Sequence, residues 1–239
     1  SVRPHAPPPA PRAPAAVRAG ARAGCDADVV QSLSIGIVSR LCAQPVLAEA
    51  LFAHGGGAVL SAIGTSDGVA FSARQRLLAG AALNSASRDD TLRGALQPTL
   101  ELVATALLRD VGATAARSSE ALSPRAHDTS FEMIAMGCRT LARAALLPRC
   151  HAILRHGGTR ALVAVVACSD ALPVHCTESA LAALVNLSNE PHNQLALVAH
   201  GLWALLPVVH APPSARAFEL AAGTLANLAA NPAARAQLY

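Results

Sequence analysis

No lysine occurs anywhere in this chain of 239 residues, and all 19 basic side chains are arginine. We read that as compositional bias, not as selection for arginine-specific contacts. Aromatic residues make up 3% of the sequence, with one tryptophan and one tyrosine. β-Sandwiches and barrels rely on aromatic and β-branched side chains, so this shortage argues against them. The six cysteines, Cys25, Cys42, Cys138, Cys150, Cys168 and Cys176, form no C-x-x-C pair, and Cys42, Cys138 and Cys168 lie in apolar runs. That pattern predicts reduced, buried thiols in an intracellular, most simply cytoplasmic, protein, with nuclear or organellar placement left open. No apolar stretch reaches 18 residues without a charge or breaker, so no membrane span is expected. The phosphate-binding GxxxxGK[ST], the dinucleotide GxGxxG and the nucleophile elbow GxSxG are all absent. No cofactor, no metal, no small-molecule substrate and no enzymatic activity are therefore expected.

What is present is alanine, leucine and valine in a chain that is 52% hydrophobic. Alanine and leucine are strong helix formers, and short side chains let helices approach closely, which predicts an all-α fold. The chain is long enough to bury a sizeable core. Its net charge of +4 is confined to one end. Arg3, Arg12, Arg18 and Arg22 fall in residues 1–24, which hold no acid, whereas the remainder balances 15 arginines against 15 acids. Six prolines share that basic end. Residues 1–26 are thus predicted to be a disordered Pro/Ala/Arg-rich linker. An organelle transit peptide is an alternative reading of the same stretch. Nucleic-acid binding through this tail would show a steep salt dependence lost with residues 1–24, but the neutral body argues against it.

Beyond residue 26 the chain repeats itself. Leu41, Leu141, Leu187 and Leu228 each sit near the end of an apolar helical run. Pro45, Pro191 and Pro232 follow three of them by four residues, and Pro148 follows the other by seven. His54-Gly55, His156-Gly157 and His200-Gly201 come next, each before another apolar run, the last from Leu202 to Val209. These marks predict a three-helix unit. One helix ends at the leucine, proline opens a second, glycine ends it at a sharp turn, and a third follows. So small a unit cannot bury its apolar face alone, so neighbours must stack. A weaker copy aligns Gly80 with Gly223 and Asn84 with Asn227, with Ser85 at the anchor and a last helix from Thr99 to Leu108. The expected units are 27–70, 71–128, 129–173, 174–214 and 215–239, with a flexible polar loop at about 110–130. The chain starts without methionine and stops inside the pattern, so a longer parent protein, and an association-prone apolar end, are expected.

Ala183-Leu184-Val185-Asn186-Leu187-Ser188 with Asn193 and Gly201-Leu202-Trp203-Ala204-Leu205-Leu206 resembles an armadillo repeat. So does Ala222-Gly223-Thr224-Leu225-Ala226-Asn227-Leu228-Ala229 with Asn231-Pro232. The pattern is similar to that of the beta-catenin and importin-alpha proteins over residues 27–239. The resemblance implies a right-handed α-solenoid of about five units whose third helices line a concave groove. Such a groove binds extended segments of other proteins, and the resemblance implies a scaffold that is not an enzyme. Importin-like members carry a tryptophan four residues before the groove asparagine. Here those positions are Gly36, Gly80, Met136, Ala182 and Gly223, so the lysine clamp is not carried over. The lone Trp203 falls on a second helix and is expected in the core.

Aligned third helices place Glu132, Glu178 and Glu219 at one position, and Thr140, Asn186 and Asn227 eight residues later, with Asn84 in the weaker copy. Positions i, i+4 and i+8 drift by only about 80° on a helix, so each set shares a face. The asparagines suit the peptide groups of an extended protein or peptide partner, or else tie one unit to the next. The glutamates favour a basic partner, or else stabilise first turns of helices through the dipole. The histidines fall in separate units and read as structural, and Cys150-His151, His156 and His175-Cys176 fit no common zinc spacing. An alternative to the scaffold is a spacer within a larger protein whose activity lies elsewhere.

Overall fold

The structure is a computed structural model that describes residues 15–67, 70–109, 111, 114, 124–146 and 157–236. Every described element is a helix: α1 (Ala15–Leu41), α2 (Pro45–Ala53), α3 (Gly56–Thr65), α4 (Ala73–Ala86), α5 (Asp90–Leu107), α6 (Pro124–Ala144), α7 (Gly158–Ala167), α8 (Val174–Ser188), α9 (Pro191–His210), α10 (Ala215–Ala230) and α11 (Pro232–Arg235). The all-α expectation holds. No single described helix is long and apolar enough to cross a membrane.

Local chemistry sets the helix starts. Pro45, Pro191 and Pro232 open α2, α9 and α11, where a proline's lack of N–H costs nothing. Ser72 and Gln75 form a reciprocal capping box at α4, with Ser72 N donating to Gln75 Oε1 at 2.8 Å. The side chains of Asp89 and Ser214 accept from Leu92 N and Ala217 N and so cap α5 and α10. Gly55 and Gly157 take φ of 86° and 78°, a left-handed conformation that other residues adopt only at a cost. At Gly55 the chain bends by 87° between α2 and α3.

Five expectations need correction. Helix α1 starts at Ala15, directly after the last of the six clustered prolines, so residues 15–26 of the predicted linker are helical. Residues 1–14 lie outside the described residues. Helix α6 is described from Pro124, so the predicted loop at about 110–130 ends in helix. At its other end, Val111 and Thr114 are buried. Where two helices were expected in the second and fourth units, α5 and α9 are each continuous. Pro98 lies inside α5, and no separate helix starts at Thr99. Gly201 lies inside α9, close-packed on α7, where a Cβ would stand 3.3 Å from Val163 Cγ2. Glycine permits a turn without compelling one. Trp203 is 78% exposed on α9, not core.

Packing follows chain order. Helices α1, α4, α6, α8 and α10 form one layer, each against the next, and α3, α5, α7 and α9 form a second layer against them. A continuous core runs between the layers, with Leu83, Leu100, Leu141, Leu162, Leu184, Leu187 and Leu228 fully buried or nearly so. Each such leucine contributes roughly 1.5–3 kcal/mol of transfer free energy. Leu41 is the exception among the anchors at 39% exposed. No described helix covers the face of α1 opposite α4, where Val30, Leu33 and Ile37 are also exposed.

Candidate functional site

The predicted site residues sit on α4, α6, α8 and α10, and the layer order brings the last three helices side by side. Asn186 Nδ2 donates to Ala142 O at 2.9 Å. Ala142 lies in the last turn of α6, where carbonyls lack partners within the helix. Asn227 Nδ2 repeats the arrangement one helix on, donating to Ser188 Oγ at 2.9 Å and to Asn189 Oδ1 at 3.0 Å, at the end of α8. Both asparagines are half-buried. Each therefore ties its helix to the preceding one, the second of the two roles expected of these asparagines.

The other two members of that set differ. Thr140 is fully buried and its hydroxyl donates to Met136 O at 2.8 Å, so it presents nothing to a partner. Threonine is too short to cross to the next helix and instead bonds back along its own. Asn84 is half-buried, and its Oδ1 is enclosed with no hydrogen-bond partner among the described residues.

The glutamates are not in first turns, because each helix starts earlier than the alignment implied. None of α6, α8 and α10 carries an acid in its first turn, so the dipole explanation fails. Glu132 instead lies 3.5 Å from Arg139 Nη2 and 3.8 Å from His175 Nε2 on α8. Glu178 Oε1 accepts from Ser214 Oγ, the cap of α10, at 2.7 Å. Both acids thus reach forward to the following long helix, as the asparagines reach back. Glu219 is exposed.

Between α6, α8 and α10 lies an open groove of about 530 Å³. Its lining includes Glu178 and Asn186, but also Arg139, Arg143 and Arg216, which sequence reasoning did not single out. Arg143 is half-buried, and its basicity is lowered first by burial and then by the nearby charges of Arg88 and Arg93. Arg93 has its own acid in Asp90 and also donates through Nε to Ser87 O at 2.8 Å. No signal in the linear pattern marks these arginines. Arg139 and Arg143 share one face of α6, whereas Arg216 comes from α10 in another unit, and only the stacking brings it to them.

Other sequence-flagged groups are structural in their surroundings. His54 Nδ1 lies 2.8 Å from Ala50 O at the end of α2. His200 is exposed within α9, and His156, Cys150 and His151 lie outside the described residues. Cys176 Sγ donates to Phe131 O at 3.4 Å, and burial is the main cause that pushes its thiol up to about 12. Burial pushes Cys42 up to about 11. Asn193, part of the quoted motif, donates through Nδ2 to Leu187 O at 3.1 Å and is fully buried. Gln194 does likewise to Ser188 O at 2.7 Å. These two satisfy the end of α8 from the first turn of α9.

No family model matches this chain, and no curated protein matches it. Among solved structures, the crystal structure of an engineered protein from the Northeast Structural Genomics Consortium is similar at 17% identity. The match covers 88% of this chain and 92% of that one, with a TM-score of 0.48. At that level of likeness neither fold assignment nor function passes from that protein to this one.

Proposed function

We propose that these helices form a right-handed α-solenoid of about five armadillo-like units and that the chain is a protein–protein interaction scaffold, not an enzyme. In this reading the groove beside α6, α8 and α10 takes an extended segment of a partner. One observation carries it. Asn186 and Asn227 hold equivalent positions on successive long helices, each with its Nδ2 anchored to the helix before. No described residue donates to either amide oxygen. Two acceptors are thereby held in fixed orientation along one face, which suits the N–H groups of an extended backbone. The glutamates give little support for a basic partner, since Glu132 and Glu178 are engaged within the chain.

The double variant Asn186→Ala, Asn227→Ala tests the groove. Each lost hydrogen bond is worth about 0.5–1.5 kcal/mol. Partners captured by the wild-type chain should bind the variant about tenfold or more weakly, while Glu49→Ala on exposed α2 leaves them unchanged. Equal recovery on the groove variant would show that binding lies elsewhere.

A further inference from the structure

We propose that the groove between α6, α8 and α10 recognises an acidic extended segment of a partner protein, with Arg143 and Arg216 receiving its carboxylates. This rests on the groove reading above and reverses the charge preference that the glutamate ladder implied. Glu178 is the one acid among the described lining residues, against three arginines. Glu132 pairs with Arg139 and His175, and Glu178 accepts from Ser214. Arg143 and Arg216 form no ion pair among the described residues, yet both line the groove. Arg143 is the more telling of the two. It is half-buried, which first lowers its basicity, and the charge of Arg88 adds to this, with a further share from Arg93 although that residue pairs with Asp90. A partly desolvated cation facing like charges is destabilising by itself, and an incoming anion relieves it. The fork of a guanidinium matches a carboxylate in bidentate geometry.

The rest of the lining favours a peptide over other polyanions. Asn186 stands beside the arginines with an amide oxygen open to a backbone N–H. Ala142, Ala182 and Leu146 give the groove apolar floor for side chains between the acids. Among the described residues His175 is the only ring in the lining, so they offer no platform on which successive bases would stack.

The test measures binding of a fluorescein-labelled peptide of alternating glutamate and serine by anisotropy, beside counterparts with glutamine or lysine in place of glutamate. The acidic peptide should bind the wild-type chain at least about tenfold more tightly than either counterpart, and weaken as salt shortens the Debye length to about 8 Å. Arg143→Gln with Arg216→Gln should lose about tenfold or more. Arg160→Gln, at an exposed position of α7 outside the groove, should lose nothing. Far-ultraviolet circular dichroism checks that the variants fold, and Arg216→Gln alone, at an exposed position, supplies the fallback with a smaller loss in the same direction. Equal binding of the glutamate and glutamine peptides, or an unchanged affinity in the double variant, overturns the charge assignment and leaves the groove standing. So does a single-stranded oligonucleotide that binds as tightly and loses as much on the double variant. If the acidic peptide does not bind at all, the charge assignment is wrong, and the groove is judged by the asparagine variants alone.

Discussion

Leu187 and Asn227 hold the long helices together by different means. Leu187 has no exposed surface, and Asn227 is half-buried. Leu187→Ala removes transfer free energy and leaves a cavity, at about 2–5 kcal/mol. Asn227→Ala deletes two hydrogen bonds that water partly replaces, at about 1 kcal/mol. Urea denaturation of the two variants should therefore give clearly unequal midpoints at similar slopes, with Leu187→Ala lower. Equal losses would mean that the amide ladder, not the apolar seam, sets stability. The buried leucines were legible because Leu141, Leu187 and Leu228 recur before a proline and need only a helical face to be buried. The candidate site is legible only in part. The spacing puts Asn186 and Asn227 at equivalent positions, where each bonds across to the preceding helix. It does not show that Thr140 bonds within its own helix, because one lost side-chain length turns a cross-helix donor into a local one. Arg143 and Arg216 were invisible because their meaning depends on which helix ends become neighbours.

Glycine divides the elements into those that bend and those that continue. Gly55 and Gly157 have positive φ, whereas Gly94 lies within helical α5 with nothing within 4 Å of an added Cβ. Alanine should therefore act in opposite directions at these places. Gly157→Ala forces a left-handed conformation on a residue with a Cβ and should destabilise by about 1–2 kcal/mol. Gly94→Ala removes backbone freedom from the unfolded chain and should stabilise by about 0.5–1 kcal/mol. Thermal melts of the two variants check the signs, and a shift in the same direction would contradict the backbone assignment. The sequence shows a His-Gly step three times but does not say which glycine turns. At Gly201 the neighbour across the gap is Val163, and the close approach of α9 to α7, not a turn, accounts for the residue. The helix starts were misread for a related reason. Proline opens a helix as readily as it stops one, and helix runs from Ala15 and from Pro124 where a linker and a loop were expected.

At the scale of the molecule, what matters is that helices contact those near them in the chain. Helix α10 packs on α8, α9 and α11, while α1 and α3 pack on α4 and have no comparable contact with α10. Stability then behaves as a sum of local terms and neighbour interfaces, not as one cooperative block. Leu228 is fully buried on α10, and Leu228→Ala should cost about 2–5 kcal/mol locally. Hydrogen exchange read by mass spectrometry should show faster exchange in α8 to α11, while the amides of α1, α3 and α4 keep their wild-type protection. Loss of protection spread evenly from α1 to α11 would mean that the core between the layers unfolds as one unit. In that case the groove between α6, α8 and α10 inherits its rigidity from the whole chain and not from the three helices that line it.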